Sequence, residues 1–153
     1  VSRQVPTVTT NALLHIVICG SMSALKEMEI LAERLSNDGY RVTTPVPEET
    51  TLIWEKLSIE EAARLKRGFL NDYFDIIRQS DAVLIANLEK HGIPGYIGAN
   101  TLMEVACGHA LGKPVFFLNA IGEQPCRVEA HAVAAGILDG DAGRLADLLV
   151  RRT

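Results

Sequence analysis

Glu104 ends the stretch Gly95-Tyr-Ile-Gly-Ala-Asn-Thr-Leu-Met-Glu104, which lies between an apolar strand pattern (Ala82 to Ala86) and a helical pattern (Thr101 to Leu111). Gly95 and Gly98 permit a sharp turn and a close approach of backbone to a ligand, because only glycine takes positive φ at little cost. Asn100 and Thr101 are good N-cap residues, so a helix is expected to open there with its free N–H groups facing the loop. Glu104 then falls in the first turn, where the helix dipole favours an ionised carboxylate. A carboxylate at the mouth of a strand–loop–helix unit can act as a nucleophile or a base. Thr101-Leu-Met-Glu104 equally fits a capping box, in which Glu104 only reaches back to a backbone N–H. The local pattern leaves both readings open.

A second candidate is Cys19-Gly-Ser-Met-Ser23, which follows an apolar run and sets Gly20, Ser21 and Met22 at a strand-to-helix turn. Turns of this kind bind a phosphate or sugar hydroxyls. The pattern is neither a Walker loop nor a full G-x-G-x-x-G fingerprint, and a tight turn with a capping serine explains it as well. Asn87 closes the third apolar strand, where it can hydrogen-bond a sugar or base. Tyr96 either stacks on a base or anchors its loop, and Trp54 either covers a base or packs beneath its own segment. Asp81 is expected to cap a strand start, and Lys113 to lie solvated in a helix-ending turn. His15, His91, His109 and His131 have no Cys or His partner at metal-ligand spacing, so no metal site is expected.

These residues must be positioned by a single domain. The chain has 153 residues, 48% hydrophobic and 22% charged, which suits one domain with a real core. A formal net charge of −4 argues against nucleic acid as the main partner. No apolar run approaches the roughly 20 residues of a membrane span. Residues 1–12 read as a flexible tail rather than a signal peptide, and residues 13–153 as the domain. Cys19, Cys107 and Cys126 are odd in number, widely spaced and in apolar surroundings, as for free thiols in a reducing cytoplasm.

Leu13 to Cys19 is a near-continuous apolar run, as in a strand buried on both faces. A helix is expected from Ala24 to Asn37, a strand over Tyr40 to Thr44, and a long irregular segment from Pro45 to Leu57. Ser58 and Glu61 form a capping-box pair opening a helix that runs to about Gln79, with Ala62, Phe69, Tyr73 and Ile76 as its buried stripe. Further strands fall at Ala82 to Ala86 and Val115 to Leu118, with Gly112-Lys-Pro114 ending the intervening helix. Beyond them lie a short helix over Val128 to Ala134, an apolar pair Ile137-Leu138, and a last helix from about Ala142 to Arg151. The alternation predicts an α/β fold: a Rossmann-like parallel sheet of flavodoxin-like order, 2-1-3-4, with helices on both faces. Ligands in such sheets sit at the carboxyl ends of the strands where the order reverses, so the loops after the first and third strands should meet.

In this order, Cys19-Gly-Ser21, Ser80-Asp-Ala-Val-Leu-Ile85, Asn100-Thr-Leu-Met-Glu104 and Ala110-Leu-Gly-Lys-Pro-Val115 resemble the nucleoside 2-deoxyribosyltransferase family. That family includes the deoxynucleoside 5′-monophosphate N-glycosidases. The resemblance implies that Glu104 is the nucleophile, attacking C1′ of the sugar to form a glycosyl-enzyme intermediate. Water then releases the sugar, or a second base yields a new nucleoside. It also implies that no metal or organic cofactor is needed, and that a homodimer completes each site across subunits. The expected substrate-binding residues are Gly20, Ser21, Met22, Asn87, Tyr96, Gly98, Asn100 and Thr101.

The family carries a helper Asp eight residues before the position of Asp81, where this chain has Tyr73. Asp72 and Asp75 are the neighbouring carboxylates and so the candidates for that role, although one residue along a helix turns a side chain by about 100°. Monophosphate-hydrolysing members place a Tyr before the Cys-Gly-Ser element and an Arg after it, where this chain has Val17-Ile18 and Met22-Ser23. A requirement for phosphate therefore stays open, as do the base and the sugar. Two alternatives stand beside this reading. One is a phosphoribohydrolase of the cytokinin-activating type, whose Gly-Gly-rich loop and basic residues are absent here. The other is a nucleotide-binding or sensing module of the same fold without turnover.

Overall fold

The structure is a computed structural model describing residues 13–151; the tail expected over residues 1–12 lies outside the described residues. Five strands form one sheet: β1 (His15–Cys19), β2 (Arg41–Thr43), β3 (Ala82–Ile85), β4 (Val115–Phe117) and β5 (Ala134–Ile137). Their order is β2-β1-β3-β4-β5, and every pairing is parallel. The helices are α1 (Leu25–Asn37), α2 (Ile59–Gln79), α3 (Ala99–Ala110), α4 (Arg127–Val133) and α5 (Arg144–Val150). The expected α/β class and the 2-1-3-4 order are both present.

Period-two alternation of the strands splits the apolar side chains between two cores. Ile16, Ile18, Leu84 and Phe116 face α1 and α5 with Met28, Leu35 and Leu145. Val17, Cys19, Val83, Ile85 and Phe117 face α2, α3 and α4 with Tyr73, Ile77, Val105 and Ala130. Strands buried on both sides must be largely apolar, which is why β3 and β4 are unbroken hydrophobic runs and β1 is one after His15. The Ser58–Glu61 capping box forms reciprocally: Glu61 N donates to Ser58 Oγ at 3.1 Å and Ser58 N to Glu61 Oε2 at 3.3 Å. Gly112, at φ +74, ends α3 as expected, with Lys113 N donating to Gly108 O at 2.9 Å.

The fifth strand differs from the sequence reading, which had a helix continuing to Ala134 and then an apolar pair. Ala134-Ala-Gly-Ile137 pairs with β4 instead. Gly136 is crowded by α5 and β4: a Cβ there would lie 2.9 Å from Leu148 Cδ1 and 3.3 Å from Phe116 Cδ1.

Asp81 takes the strand-capping place expected of it, its Oδ2 accepting the His15 N–H at 2.7 Å. Among the described residues no helix is long and apolar enough to cross a membrane. Of the large apolar side chains left exposed, Ile30 lies on α1, Ile59 on α2, Met103 on α3, Val128 on α4 and Val150 on α5, while Leu13, Leu14, Val46 and Ile53 lie outside these helices.

Candidate active site

Because β1 and β3 are neighbours, with Cys19 in register with Ile85, the chain leaves both strands at one point on the sheet edge. There a cleft of about 1050 Å³ opens, lined by the Gly20–Ser23 turn, the segment after β2, one face of α2, and Tyr96 to Glu104. The glycine-bearing loops thus meet as the topology requires. Gly20, Ser21, Met22, Tyr96, Gly98, Asn100, Thr101, Asp72 and Glu104 all line this cleft. Asn87 and Asp75 are not among the lining residues.

Glu104 is held differently from either local expectation. α3 begins at Ala99, two residues earlier than expected, with Gly98 in extended conformation (φ −78, ψ 172) as an N-cap that has no side chain. Asn100 and Thr101 therefore lie inside the first turn rather than capping it. Glu104 lies in the second turn, so it is neither a first-turn acid nor half of a capping box. The first-turn N–H groups have no side-chain cap and belong to residues that line the cleft.

The Glu104 side chain is 8% exposed, an unusual place for a carboxylate. The Cys19 thiol hydrogen-bonds to it. Burial, with the Glu104 charge and this hydrogen bond adding, pushes the Cys19 thiol well above its ordinary value. Cys19 thus stays a protonated donor. Burial likewise raises the Tyr73 phenol, with Cys19 and Glu104 contributing. Cys107 is also raised, by burial first and by the Glu104 charge, against the opposing Arg78. Cys19, Tyr73 and Cys107 are thus three weak acids, all held towards the neutral form, around the Glu104 side chain. The Tyr73 hydroxyl donates to the carbonyl oxygen of Ile18.

Asn87, expected to meet substrate, joins the ends of β3 and β4 instead. Its Nδ2 donates to Asn119 O at 2.8 Å, its Oδ1 accepts from Asn119 N at 2.9 Å, and Asn119 Nδ2 donates to Asn87 O at 3.1 Å. Nothing in the sequence of Asn87 alone points to a partner 32 positions away. Asp75 is exposed on α2, two residues and so about 200° around the helix from the cleft-lining Tyr73.

Gly95, expected to approach a ligand, approaches backbone. Its φ is +67, and a Cβ there would sit 1.9 Å from Ala120 O. Gln124 locks the same loop, its Oε1 accepting from Ile97 N at 2.8 Å and its Nε2 donating to Gly95 O at 3.0 Å.

Phe69, Lys66, Lys90 and Ser23, which the sequence did not point to as site residues, complete the walls beside Trp54 and Tyr96, which it did. Trp54 packs edge-on to Phe69 with ring centroids 6.5 Å apart, and Lys66 Nζ lies 4.4 Å from the Trp54 ring centroid. Lys90 Nζ donates to Ser21 Oγ at 2.8 Å, and Ser21 Oγ is 2.9 Å from Ser23 Oγ. Tyr96 meets the His91 ring edge-on at 5.3 Å while lining the cleft. Among the described residues no group of three or more His, Cys, Asp or Glu is placed to hold a metal ion.

Neither a scan against protein-family models nor a comparison with curated proteins gives a match. Solved structures do. The 2-deoxyribosyltransferase of the psychrotolerant bacterium Bacillus psychrosaccharolyticus superposes with a TM-score of 0.59 at 16% identity, over 88% of this chain and 95% of that one. The two share a fold. A CMP N-glycosidase of Clostridium botulinum, BcmB, matches more loosely, with a TM-score of 0.46 at 16% identity over 91% of this chain and 99% of its own. The first of these likenesses places the chain in the Rossmann-like 2-deoxyribosyltransferase fold, the fold that the sequence resemblance implies.

Proposed function

We propose that the protein cleaves or transfers the N-glycosidic bond of a (deoxy)nucleoside or nucleoside 5′-monophosphate, with Glu104 as the nucleophile. The observation that carries this reading is a buried carboxylate in the wall of a large cleft at the switch point of the sheet, in a helical position where capping gives it no structural reason to be. The motif resemblance and the shared fold with a 2-deoxyribosyltransferase support the same chemistry.

In this mechanism a Glu104 oxygen bonds to C1′ as the C1′–N bond breaks, and the base leaves with the electron pair and takes up a proton. Water, or a second base, then attacks C1′ and frees Glu104, as in retaining glycosidases. Cys19 orients the carboxylate through its thiol hydrogen bond. Asp72 is the second carboxylate facing the cleft and the residue assigned to move the proton. The aromatic wall of Trp54 and Phe69 suits a stacked base. The chemistry uses only protein side chains.

The same reading includes a homodimer, supported by the exposed Ile59 on α2 and Met103 on α3. A single monomeric species by light scattering at micromolar concentration would remove that part. A cytoplasmic location accords with the free thiols Cys19, Cys107 and Cys126.

The test is a panel of ribo- and deoxyribonucleosides and their 5′-monophosphates, with chromatographic detection of free base. Release of base from at least one of them is expected. No release from any, together with a rise in melting temperature on adding nucleotide, would replace the enzyme with a binding module.

A further inference from the structure

Lys90 is a cation in a cleft wall with only hydroxyl company. Its Nζ donates to Ser21 Oγ at 2.8 Å, and Ser23 Oγ lies 2.9 Å further on. All three line the cleft, and Lys90 is half-buried. Among the described residues no carboxylate lies within ion-pair distance of it. An ammonium has three donors and one is used on Ser21. In the Ser21–Ser23 pair one hydroxyl proton bridges the two oxygens and the other is left over. The cluster thus presents surplus donors and a positive charge to the cleft, in a chain whose net charge is −4.

The lysine is also aimed. Lys90 and Ile93 form a two-residue hairpin, Ile93 N donating to Lys90 O at 3.0 Å and Lys90 N to Ile93 O at 3.3 Å. Its central residues, His91 and Gly92, both have positive φ, +53 and +73. Positive φ at His91 is costly for a side-chain-bearing residue, and the His91 ring packs edge-on against Tyr96 at 5.3 Å. A surface lysine on a solvated loop needs no such support.

We infer that Lys90, with Ser21 and Ser23, is the specificity-determining anion-binding end of the cleft, so that the substrate is a 5′-phosphorylated nucleoside rather than a neutral one. The charge comes from the loop after β3, not from the turn after β1 that holds the serines. This inference rests on the proposed function for the identity of the sugar, and not for the presence of an anion.

The experiment measures binding of 2-deoxyribose 5-phosphate and of 2-deoxyribose to the intact protein by calorimetry, for wild type, Lys90→Met and Lys90→Arg, at low and at high salt. Wild type is expected to prefer the sugar phosphate. Lys90→Met should weaken it by roughly ten- to a hundredfold, the range of a hydrogen bond to a charged group, and Lys90→Arg should recover part of that loss. The preference should shrink as salt rises.

Equal binding of the two sugars, binding of neither, or a phosphate preference that survives in Lys90→Met with an unchanged melting temperature would each overturn the inference. Base release from neutral nucleosides alone would overturn it while leaving the N-glycosidase reading intact. Phosphate preference without base release from any substrate would uphold the anion site and remove that reading.

Discussion

The two ends of the sheet treat their polar groups in opposite ways. At the amino end of β1, His15 is surrounded by partners: its N–H meets Asp81 at 2.7 Å, its Nε2 meets Thr43 Oγ1 at 2.8 Å, and its Nδ1 meets an Arg41 nitrogen at 3.2 Å. This is a closed polar cluster that joins three neighbouring strands. At the carboxyl end Glu104, Lys90, Ser21 and Asp72 face one cleft. Residues of similar chemistry therefore serve cohesion at one end and line an open cleft at the other. The difference comes from topology, because connections diverge only where the strand order reverses.

If this contrast is right, changes at the two ends should separate stability from activity. The largest effect on stability is expected at Gly95, whose backbone must pass against Ala120. Gly95→Ala adds a Cβ 1.9 Å from Ala120 O at φ +67. A loss of about 3 kcal/mol or more, seen as a lower denaturation midpoint, should accompany loss of ligand binding as the cleft wall shifts. An unaltered midpoint would show that this wall is not braced as described.

A smaller effect is expected at the closed end. Asp81→Ala removes the acceptor of the His15 N–H. It should cost about 1 kcal/mol and leave base release per folded molecule unchanged. Lost activity in a folded Asp81→Ala protein would break the division between the two ends.

The smallest effect is in pH dependence. Burial first and Arg41 second lower the His15 pKa from its ordinary 6.5, while a Gln79 backbone hydrogen bond and Asp81 oppose them. The folded state therefore holds His15 neutral, and protonation favours the unfolded chain. Its contribution to stability is fully present above about pH 6.5 and declines as the pH falls below that value. Melting temperatures between pH 8 and pH 5 should fall at the acid end, and less so in His15→Asn. Equal slopes in both proteins would remove His15 as the cause.

Much of the scaffold was legible because single segments carry their own signals. β1 after His15 and all of β3 are apolar runs, and Ser58 with Glu61 marks the start of α2. The helix with Glu104 was placed correctly, but its start was not. Gly98 caps α3 without a side chain, so the Asn100-Thr101 signal misled. β5 opens on Ala134-Ala-Gly136, with Gly136 in close packing, and such residues are not marked as a strand by local propensity. Asn87 and Gln124 are defined by partners 32 and 27 to 29 positions away, and Lys90 by a serine 69 positions away. Such pairings exist only once the loops have converged.

The central claim is that the Glu104 charge attacks the sugar. Glu104→Gln keeps the size of the side chain and an acceptor for the Cys19 thiol but removes the attacking charge. Base release from the best substrate of the panel and the melting temperature should be measured together on wild type and this variant. Turnover is expected to fall by several orders of magnitude, with ligand binding kept and the melting temperature not lowered, because the lost interaction belongs to the transition state. Base release at the wild-type rate in a folded Glu104→Gln protein would contradict the claim.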